Sequence, residues 1–269
     1  MQVILYMLDL KVSLIQSDLV WEDPIENLKR FNQKIDTIND NPDIIILPEM
    51  FNTGFSINPK KCAETMEEIS VEWMKQKAKE RYSVICGSIL IKEEEFNYNR
   101  MIWMRPDGSY ETYDKRHLFR MSDEYKVMDC GYQRTIVELN GWKINLQICY
   151  DLRFPVWSRN TYKDNEYEYD ALMYVANWPE SRSYVWQTLL RARAMENQCY
   201  VIGVNRVGND GLGIPYTGDS MIVDPTGTIM SQLTPREEVI KTMSLSKQSL
   251  IDMRNSFTVG LDWDAFELR

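Results

Sequence analysis

Residues 142–155, WKINLQICYDLRFP, join a predicted β-strand to a predicted helix. Apolar side chains alternate at Ile144, Leu146 and Ile148, which is the period of a strand. Cys149 follows at the strand end, where free N–H groups of the turn can hold an oxyanion and the helix dipole is expected to lower the pKa of the thiol. The segment predicts an α/β fold with a nucleophilic cysteine. A buried structural cysteine is the alternative.

Two other predicted strands end in charged side chains. The apolar run at residues 43–47 is closed by Pro48 and followed by Glu49, and residues 110–114 lead into Lys115. Open α/β sheets hold their sites at the carboxyl ends of the strands, so these groups and the thiol are expected at one edge. Each charge taken alone is more simply a solvated surface group. The combination of carboxylate, ammonium and thiol favours an active site.

The rest of the chain alternates between strand and helix patterns, which predicts an α/β sandwich. Residues 208–213 contain glycines without phosphate-loop spacing and are predicted to form a plain loop. We expect one domain over residues 1–269, with a C-terminal tail from about 246–269. Residues 1–10 extend the first strand or precede a start at Met7. The main predicted elements are strands at 11–16, 44–47, 84–91, 99–104, 110–115, 171–175 and 200–205, helices at 24–38, 65–82 and 183–198, a helix after Cys149, and turns at 106–108 and 224–227.

Composition excludes several functional classes. The 269 residues carry a formal net charge of −9, which argues against a general nucleic-acid or anionic-membrane partner. No apolar run reaches the length of a membrane span and no signal segment is recognised, so we expect a cytoplasmic protein without a membrane partner. The five cysteines include no Cys-x-x-Cys pair, which argues against disulfides and a zinc site.

The single histidine, His117, narrows the catalytic options further. A catalytic zinc ion usually needs two or three imidazole ligands, so no metal or other cofactor is expected. His117 follows Lys115 by two residues, and on an extended segment both side chains would face the same side. A cysteine–histidine pair therefore stays open, although Glu49 is preferred as the base.

The three strand-end segments resemble motifs of the nitrilase superfamily of carbon–nitrogen hydrolases. LPEMF with Glu49, YDKRHLF with Lys115 and CYDLRFP with Cys149 follow one another in the family's order. The resemblance covers the chain from about Lys11 to Asp224. The match is closer still to the bacterial ω-amidase branch, through the segments HLFRMSDE (117–124), RFPVWSRN (153–160), VANWP (175–179) and RARAMEN (191–197).

This resemblance implies a four-layer α-β-β-α sandwich, usually paired into a dimer. It also implies an ω-amidase that hydrolyses the terminal amide of α-ketoglutaramate or α-ketosuccinamate to the dicarboxylate and ammonia through a cysteine thioester. The alternatives within the superfamily are a nitrilase, a carbamoylase or another amidase, such as one acting on deaminated glutathione. A non-catalytic protein that kept the fold is a further alternative.

The catalytic roles follow from the resemblance and from the chemistry of the groups. Cys149 is the expected nucleophile, Glu49 its base, and Lys115 with the backbone N–H of Tyr150 the stabilisers of the oxyanion. Glu124 is expected to orient Lys115 and the substrate amide. Its alternative is a surface acid in an acidic loop.

Substrate binding is expected to need a cation near the thiol, because the anticipated substrate is a small anionic amide. Arg153 stands four residues after Cys149 and would share its face of a helical turn. Its guanidinium would hold the far carboxylate of the substrate, as the equivalent arginine does in the family, unless it pairs with Asp151 or a neighbouring acid. Trp178 is expected to form an apolar wall, and Arg182 is the second candidate cation.

Apolar residues on two predicted helices suggest a homodimer or higher homo-oligomer. The stripe in residues 184–195 includes Trp186, Leu190 and Met195, and Trp157 is expected near the two-fold axis. Burial of this stripe against the sheet is the alternative. The aromatic tail at 261–269 is expected to pack across the same boundary.

Overall fold

The structure, a computed structural model, describes residues 9–268. The proposed role of residues 1–10 therefore lies almost entirely outside the described residues. The strands are β1 Leu10–Gln16, β2 Ile44–Ile46, β3 Val84–Glu93, β4 Phe96–Met104, β5 Tyr110–Asp114, β6 Thr135–Leu139, β7 Trp142–Ile148, β8 Tyr162–Lys163, β9 Glu166–Tyr167, β10 Ala171–Ala176, β11 Tyr200–Asn205, β12 Val207–Asn209, β13 Pro215–Thr217, β14 Met221–Val223, β15 Ile229–Gln232 and β16 Val239–Leu245.

The described α-helices are shorter in total than the strands. They are α1 Pro24–Asp36, α2 Pro59–Cys62, α3 Ile69–Arg81, α4 Pro155–Ser158, α5 Ser183–Asn197 and α6 Lys247–Ser256. The 3₁₀ helices are Arg120–Ser122, Glu124–Lys126, Cys149–Arg153, Glu180–Arg182 and Val259–Asp262. In the part of the chain that the structure describes, no helix is long and apolar enough to cross a membrane.

Two six-stranded sheets form the centre of the molecule. The first has the order β16-β1-β2-β3-β4-β5, and the second has the order β15-β14-β11-β10-β7-β6. The strands β1, β2 and β3 are parallel, as are β7, β10 and β11, while the outer pairings are antiparallel. Strand β4 is antiparallel to both β3 and β5, so β5 runs parallel to β3 and therefore to β2. The carboxyl ends of β2 and β5 therefore lie at one edge.

Three apolar clusters define four layers. Val12, Ile46, Ile144 and Met173 belong to the cluster between the two sheets. The outer face of the first sheet packs against α1 and α3, and the outer face of the second packs against α5. Burying both faces of each sheet supplies most of the apolar area removed from water, the main driving force for folding. The predicted α-β-β-α sandwich is confirmed.

Helix α3 begins later than its sequence pattern predicted. The pattern placed its start at Thr65, but the preceding residue, Glu64, forms an isolated bridge with Ile91 of the first sheet. The Glu64 carboxylate also accepts hydrogen bonds from the backbone N–H and hydroxyl of Ser70, at 2.8 and 2.6 Å. These contacts hold the entry segment in a turn, so the helix starts at Ile69.

The helix predicted after Cys149 is present as two short pieces and not as one continuous helix. The chain forms a 3₁₀ helix over Cys149–Arg153 and then the four-residue helix α4. Pro155 explains the break, because a proline disfavours helical geometry in the preceding residue, and Phe154 has φ −115° and ψ 87°. The nucleophile segment therefore turns sharply at the end of β7.

Candidate active site

The three strand-end groups meet where the two sheets face each other. Glu49 follows β2, Lys115 directly follows β5, and Cys149 directly follows β7. The Nζ atom of Lys115 lies 2.9 Å from Oε1 of Glu49, and both side chains are fully buried. Cys149 lines the same cavity as these two residues. The predicted cluster of carboxylate, ammonium and thiol is present.

Glu49 is held by groups from both sheets. Its Oε1 accepts from Lys115 and from Nδ2 of Asn99, the latter at 2.8 Å. Its Oε2 accepts from the backbone N–H of Asn177 at 2.7 Å, and its backbone carbonyl accepts from Nδ2 of Asn177 at 2.5 Å. Because Asn177 follows β10 of the second sheet, these bonds fix the carboxylate relative to the sheet that carries Cys149.

Glu124 is a second buried carboxylate on the same lysine. Its oxygens lie 3.0 and 3.1 Å from Nζ of Lys115, and its Oε2 also accepts from the backbone N–H of Phe119 at 2.5 Å. Glu124 is fully buried, so the surface-acid alternative is wrong.

The two carboxylates and burial determine the protonation of this cluster. Burial acts to lower the pKa of Lys115, but Glu124 and Glu49 outweigh it and raise the pKa, so the ammonium stays charged. Burial raises the pKa of Glu124, with Lys115 opposing and Glu49 adding to the rise. One buried cation thus lies between two carboxylates.

Cys149 occupies a strained backbone position with a neutral thiol. Its φ of 46° lies in the left-handed region, which is costly for a residue with a Cβ. Its Sγ lies 3.9 Å from the carbonyl oxygen of Asn177. Burial and the Glu49 carboxylate raise the pKa of the thiol well above its ordinary value, while Lys115 opposes them. The predicted lowering of this pKa by a helix dipole is therefore wrong.

Asp151 organises the turn that presents the nucleophile. Its Oδ2 accepts from the backbone N–H of Ile148 at 3.1 Å and from the hydroxyl of Tyr113 at 2.7 Å. Its Oδ1 accepts from the backbone N–H of His117 at 2.9 Å and lies 2.8 Å from the Nδ1 atom of that histidine. The fully buried carboxylate therefore ties the end of β7 to the segment that follows Lys115.

His117 belongs to this support and not to the catalytic cluster. Its ring stacks on Phe154 with centroids 3.7 Å apart, and it does not line the cavity that contains Cys149. The cysteine–histidine pair left open by the sequence is not formed. Among residues 9–268, no three His, Cys, Asp or Glu side chains are grouped as ligands for a metal ion.

The cavity in front of Cys149 has a volume of about 530 Å³ and is bounded by aromatic and charged side chains. Arg153 lies over the ring of Trp178, 5.0 Å from its centroid, and Arg182 lies 5.3 Å from the centroid of Phe119. Both arginines line the cavity, as do Tyr150 and Trp178. The alternative pairing of Arg153 with Asp151 is wrong, because Asp151 is buried among the donors described above.

The sequence did not predict that two asparagines and one loop take part in this site. Asn99 and Asn177 hold Glu49, and only the position of Asn177 within the segment VANWP could have drawn attention to it. The plain loop predicted at residues 208–213 overlaps residues 210–214, which connect β12 to β13. They border the cavity through Asp210, Leu212 and Ile214.

The sequence is similar to known carbon-nitrogen hydrolases over nearly the whole chain. The profile of the carbon-nitrogen hydrolase family matches residues 11–255. The omega-amidase YafV of Escherichia coli K12 is 43% identical over 259 residues, which cover 96% of this chain and 98% of that protein. The 2-oxoglutaramate amidase of Bacillus subtilis is 32% identical over 251 residues, covering 92% and 95%.

Solved structures of the nitrilase superfamily have the same fold as this chain. XC1258 from Xanthomonas campestris, described as a CN-hydrolase superfamily protein, superimposes with a TM-score of 0.95 at 40% identity, covering 98% of this chain and all of that one. Nit3 of Saccharomyces cerevisiae, a nitrilase superfamily member at 23% identity, shares the fold with a TM-score of 0.79 over 93% of this chain and 94% of that one. The chain belongs to the carbon-nitrogen hydrolase family of the nitrilase superfamily.

Proposed function

We propose that the protein is an ω-amidase that hydrolyses the terminal amide of 2-oxo acid monoamides, namely 2-oxoglutaramate (α-ketoglutaramate) and 2-oxosuccinamate (α-ketosuccinamate). The observation that carries the proposal is the buried Glu49–Lys115–Glu124 cluster beside Cys149, in a cavity that also holds Arg153. The identity to YafV and to 2-oxoglutaramate amidase supports this substrate class.

The reaction begins with proton transfer from Cys149 to Glu49. The raised pKa of the thiol means that the resting sulfur keeps its proton, so Glu49 removes it as the sulfur attacks the amide carbon. A carbon–sulfur bond forms, and the carbonyl electron pair moves to oxygen. The oxyanion is stabilised by the Lys115 ammonium and by the backbone N–H of Tyr150.

Collapse of the tetrahedral intermediate breaks the carbon–nitrogen bond. Glu49 returns its proton to the leaving nitrogen, ammonia departs, and the acyl group remains on Cys149 as a thioester. Glu49 then takes a proton from water, and the resulting hydroxide attacks the thioester. When the carbon–sulfur bond breaks, the Cys149 thiolate recovers the proton from Glu49. The net reaction is amide plus water to carboxylic acid plus ammonia.

Lys115 and Glu124 set the electrostatics of both steps. Because Glu124 and Glu49 raise the pKa of Lys115, the lysine remains a cation and does not act as the base. Glu124 holds the lysine in place when Glu49 becomes protonated. Glu124 therefore keeps the positive charge near the oxyanion while Glu49 cycles between its two protonation states.

A panel assay of ammonia release tests the proposed activity. The purified protein is offered 2-oxo acid monoamides, nitriles, N-carbamoyl acids and deaminated glutathione at equal concentrations. We expect the highest kcat/KM for the 2-oxo acid monoamides. A higher value for any other class would assign the protein to the corresponding superfamily activity. Absence of turnover with every class would favour the non-catalytic alternative.

We propose that the enzyme is a homodimer and works in the cytoplasm. In the helices expected at the interface, Trp186 and Leu190 are buried within their own subunit, whereas Val156, Tyr184 and Met195 are exposed. Trp157 is also buried within its own subunit and donates to the hydroxyl of Tyr113 at 2.9 Å, and its position near the two-fold axis stays a prediction. Sedimentation of the fully active protein should show a dimer, and a monomer with full specific activity would contradict this proposal.

Two further features bear on these proposals. The ring of Trp263 in the tail lies 4.4 Å from the Arg159 guanidinium of the same subunit, so this part of the tail packs on its own chain. All five cysteines are free thiols, which supports a reducing compartment.

A further inference from the structure

Two guanidinium groups line the cavity in front of Cys149, each over a different aromatic ring. Arg153 rests on the ring of Trp178, and Arg182 rests on the ring of Phe119. Within residues 9–268, neither arginine forms an ion pair with a carboxylate. Both are only partly exposed, so the protein holds two cations at the cavity without neutralising them.

The carboxylates that line the cavity are, in contrast, already engaged. Glu22 forms an ion pair with Lys61 at 2.8 Å and accepts from the hydroxyl of Ser56 at 2.7 Å. Asp210 accepts from the hydroxyl of Tyr216 at 3.0 Å and from two backbone N–H groups of its own loop at 2.9 Å. Glu49, the third, is held as described above. The cavity thus offers unpaired positive charge and no free carboxylate.

One short loop fixes the spacing of the two cations. The indole N–H of Trp178 donates to the backbone carbonyl of Arg182 at 2.8 Å, and the N–H of Arg182 donates to the carbonyl of Pro179 at 3.0 Å. Trp178 is anchored by Asn205, whose Oδ1 accepts from its backbone N–H at 2.8 Å. Trp178, whose ring lies under Arg153, and the backbone of Arg182 therefore belong to one closed turn.

The two aromatic residues under the arginines, Trp178 and Phe119, also lie next to the catalytic groups. Trp178 directly follows Asn177, whose carbonyl contacts Sγ of Cys149. Phe119 donates its N–H to Glu124, the carboxylate that holds Lys115. A substrate whose amide carbon lies at Cys149 would thus share the cavity with two guanidinium groups, one over Trp178 and the other over Phe119.

We propose that Arg182 is a specificity-determining residue that recognises the 2-oxo group of the substrate and rejects a 2-ammonium group. Arg153 holds the carboxylate at C1, and Arg182 donates to the oxygen at C2. A 2-amino acid amide places an ammonium there, where it is repelled by Arg182 and finds no free carboxylate. This inference rests on the proposed function and assigns the selection for 2-oxo acids to a single side chain.

Three substrates that differ only at C2 test the proposal: 2-oxoglutaramate, glutaramate with a methylene group, and glutamine with an ammonium group. The wild-type enzyme should hydrolyse them in that order of kcat/KM. Arg182→Met should lower kcat/KM for 2-oxoglutaramate roughly 10- to 100-fold, the usual effect of losing a charged hydrogen bond, and bring it to the level of glutaramate. The kcat/KM for glutaramate, which has no oxygen at C2, should fall much less, and an unfolding curve shows that the variant is folded.

Further variants separate hydrogen bonding from charge. Arg182→Lys should keep the rejection of glutamine while losing part of the 2-oxo preference, because a lysine keeps the charge without the planar donor pair. Arg153→Met should lower kcat/KM for 2-oxoglutaramate and glutaramate alike. Arg236→Met is the matched control, since Arg236 pairs with Glu180 beside the same loop but does not line the cavity. It should leave the substrate ratios unchanged.

The outcomes distinguish this proposal from the proposed function. If Arg182→Met lowers both acids equally, or changes neither, Arg182 does not recognise the 2-oxo group and the inference fails while the amidase activity stands. If the wild-type enzyme hydrolyses glutaramate as well as 2-oxoglutaramate, the inference fails in the same way. If it hydrolyses neither acid, the proposed function fails, and the inference fails with it.

Discussion

Two buried carboxylate clusters flank the nucleophile turn, and they differ in what surrounds their oxygens. Both oxygens of Asp151 are occupied by hydroxyl, backbone and imidazole groups from three segments. Glu49 and Glu124 instead share one ammonium, that of Lys115, next to a protonated thiol. A carboxylate fully occupied by donors stabilises a fixed geometry. In the proposed reaction, Glu49 exchanges a proton with Cys149 while Glu124 keeps the shared ammonium in place.

This difference predicts the largest loss of activity at Glu49. Glu49→Gln keeps the shape and a hydrogen-bond acceptor for Asn177 but removes the base. We expect kcat to fall by roughly 10³- to 10⁴-fold with the fold intact, as is typical when a general base is lost. Ammonia release and near-ultraviolet circular dichroism measure the two quantities. Retention of more than a tenth of kcat would show that another group accepts the proton.

Glu124→Gln should have a smaller kinetic effect. The variant removes the carboxylate that restrains Lys115 when Glu49 is protonated, so we expect kcat to fall about 10²-fold. The amide also takes an acceptor oxygen away from Lys115 or from the N–H of Phe119, so turnover is compared only after an unfolding curve shows that the variant is folded. Unchanged turnover would place Glu124 outside the reaction.

Asp151→Asn should lower the stability of the fold more than the turnover of the folded protein. The amide replaces one acceptor oxygen by a donor, which then faces the N–H groups or the hydroxyl that the carboxylate satisfied. We expect the free energy of unfolding to fall by about 2–3 kcal/mol, measured by denaturant titration. If stability were unchanged while turnover disappeared, Asp151 would have a chemical role and the contrast between the two clusters would be wrong.

The pKa of Cys149 gives a finer test of the comparison. The negative charge of Glu49 contributes to raising this pKa, so Glu49→Gln should lower it. The midpoint of alkylation at Cys149 by iodoacetamide should then move to lower pH, and alkylation at neutral pH should become several-fold faster while amide hydrolysis is nearly lost. Peptide mapping isolates Cys149 from Cys130, which is also partly exposed. An unchanged midpoint would mean that Glu49 and the thiol are not coupled.

The sequence predicted the groups at the strand ends and not the contacts between distant segments. Glu49, Lys115 and Cys149 could be located because strand periodicity and the family motifs mark where each strand ends. Asn177 could not be assigned, because its bonds to Glu49 join residues 128 positions apart in the chain. Such a bond depends on how the two sheets face each other, which no local pattern encodes.

One local prediction was incomplete and another was wrong. The helix predicted after Cys149 forms as a 3₁₀ helix and the short helix α4, because Pro155 disfavours helical geometry at Phe154. The predicted low pKa of Cys149 depended on the dipole of that helix. In the structure the thiol is enclosed with the Glu49 carboxylate, and both effects raise its pKa. Burial can be judged only once the two sheets are packed.

The most direct test of the central claim is ammonia release from 2-oxoglutaramate by Cys149→Ala. The small side chain leaves Glu49, Lys115 and Glu124 in place, and an unfolding curve confirms that the protein is folded. Without a nucleophile no thioester forms, so we predict that turnover falls by at least about 10⁴-fold, as for other enzymes that lose their nucleophile. Hydrolysis by the folded variant at a rate close to that of the wild type would contradict nucleophilic catalysis by Cys149.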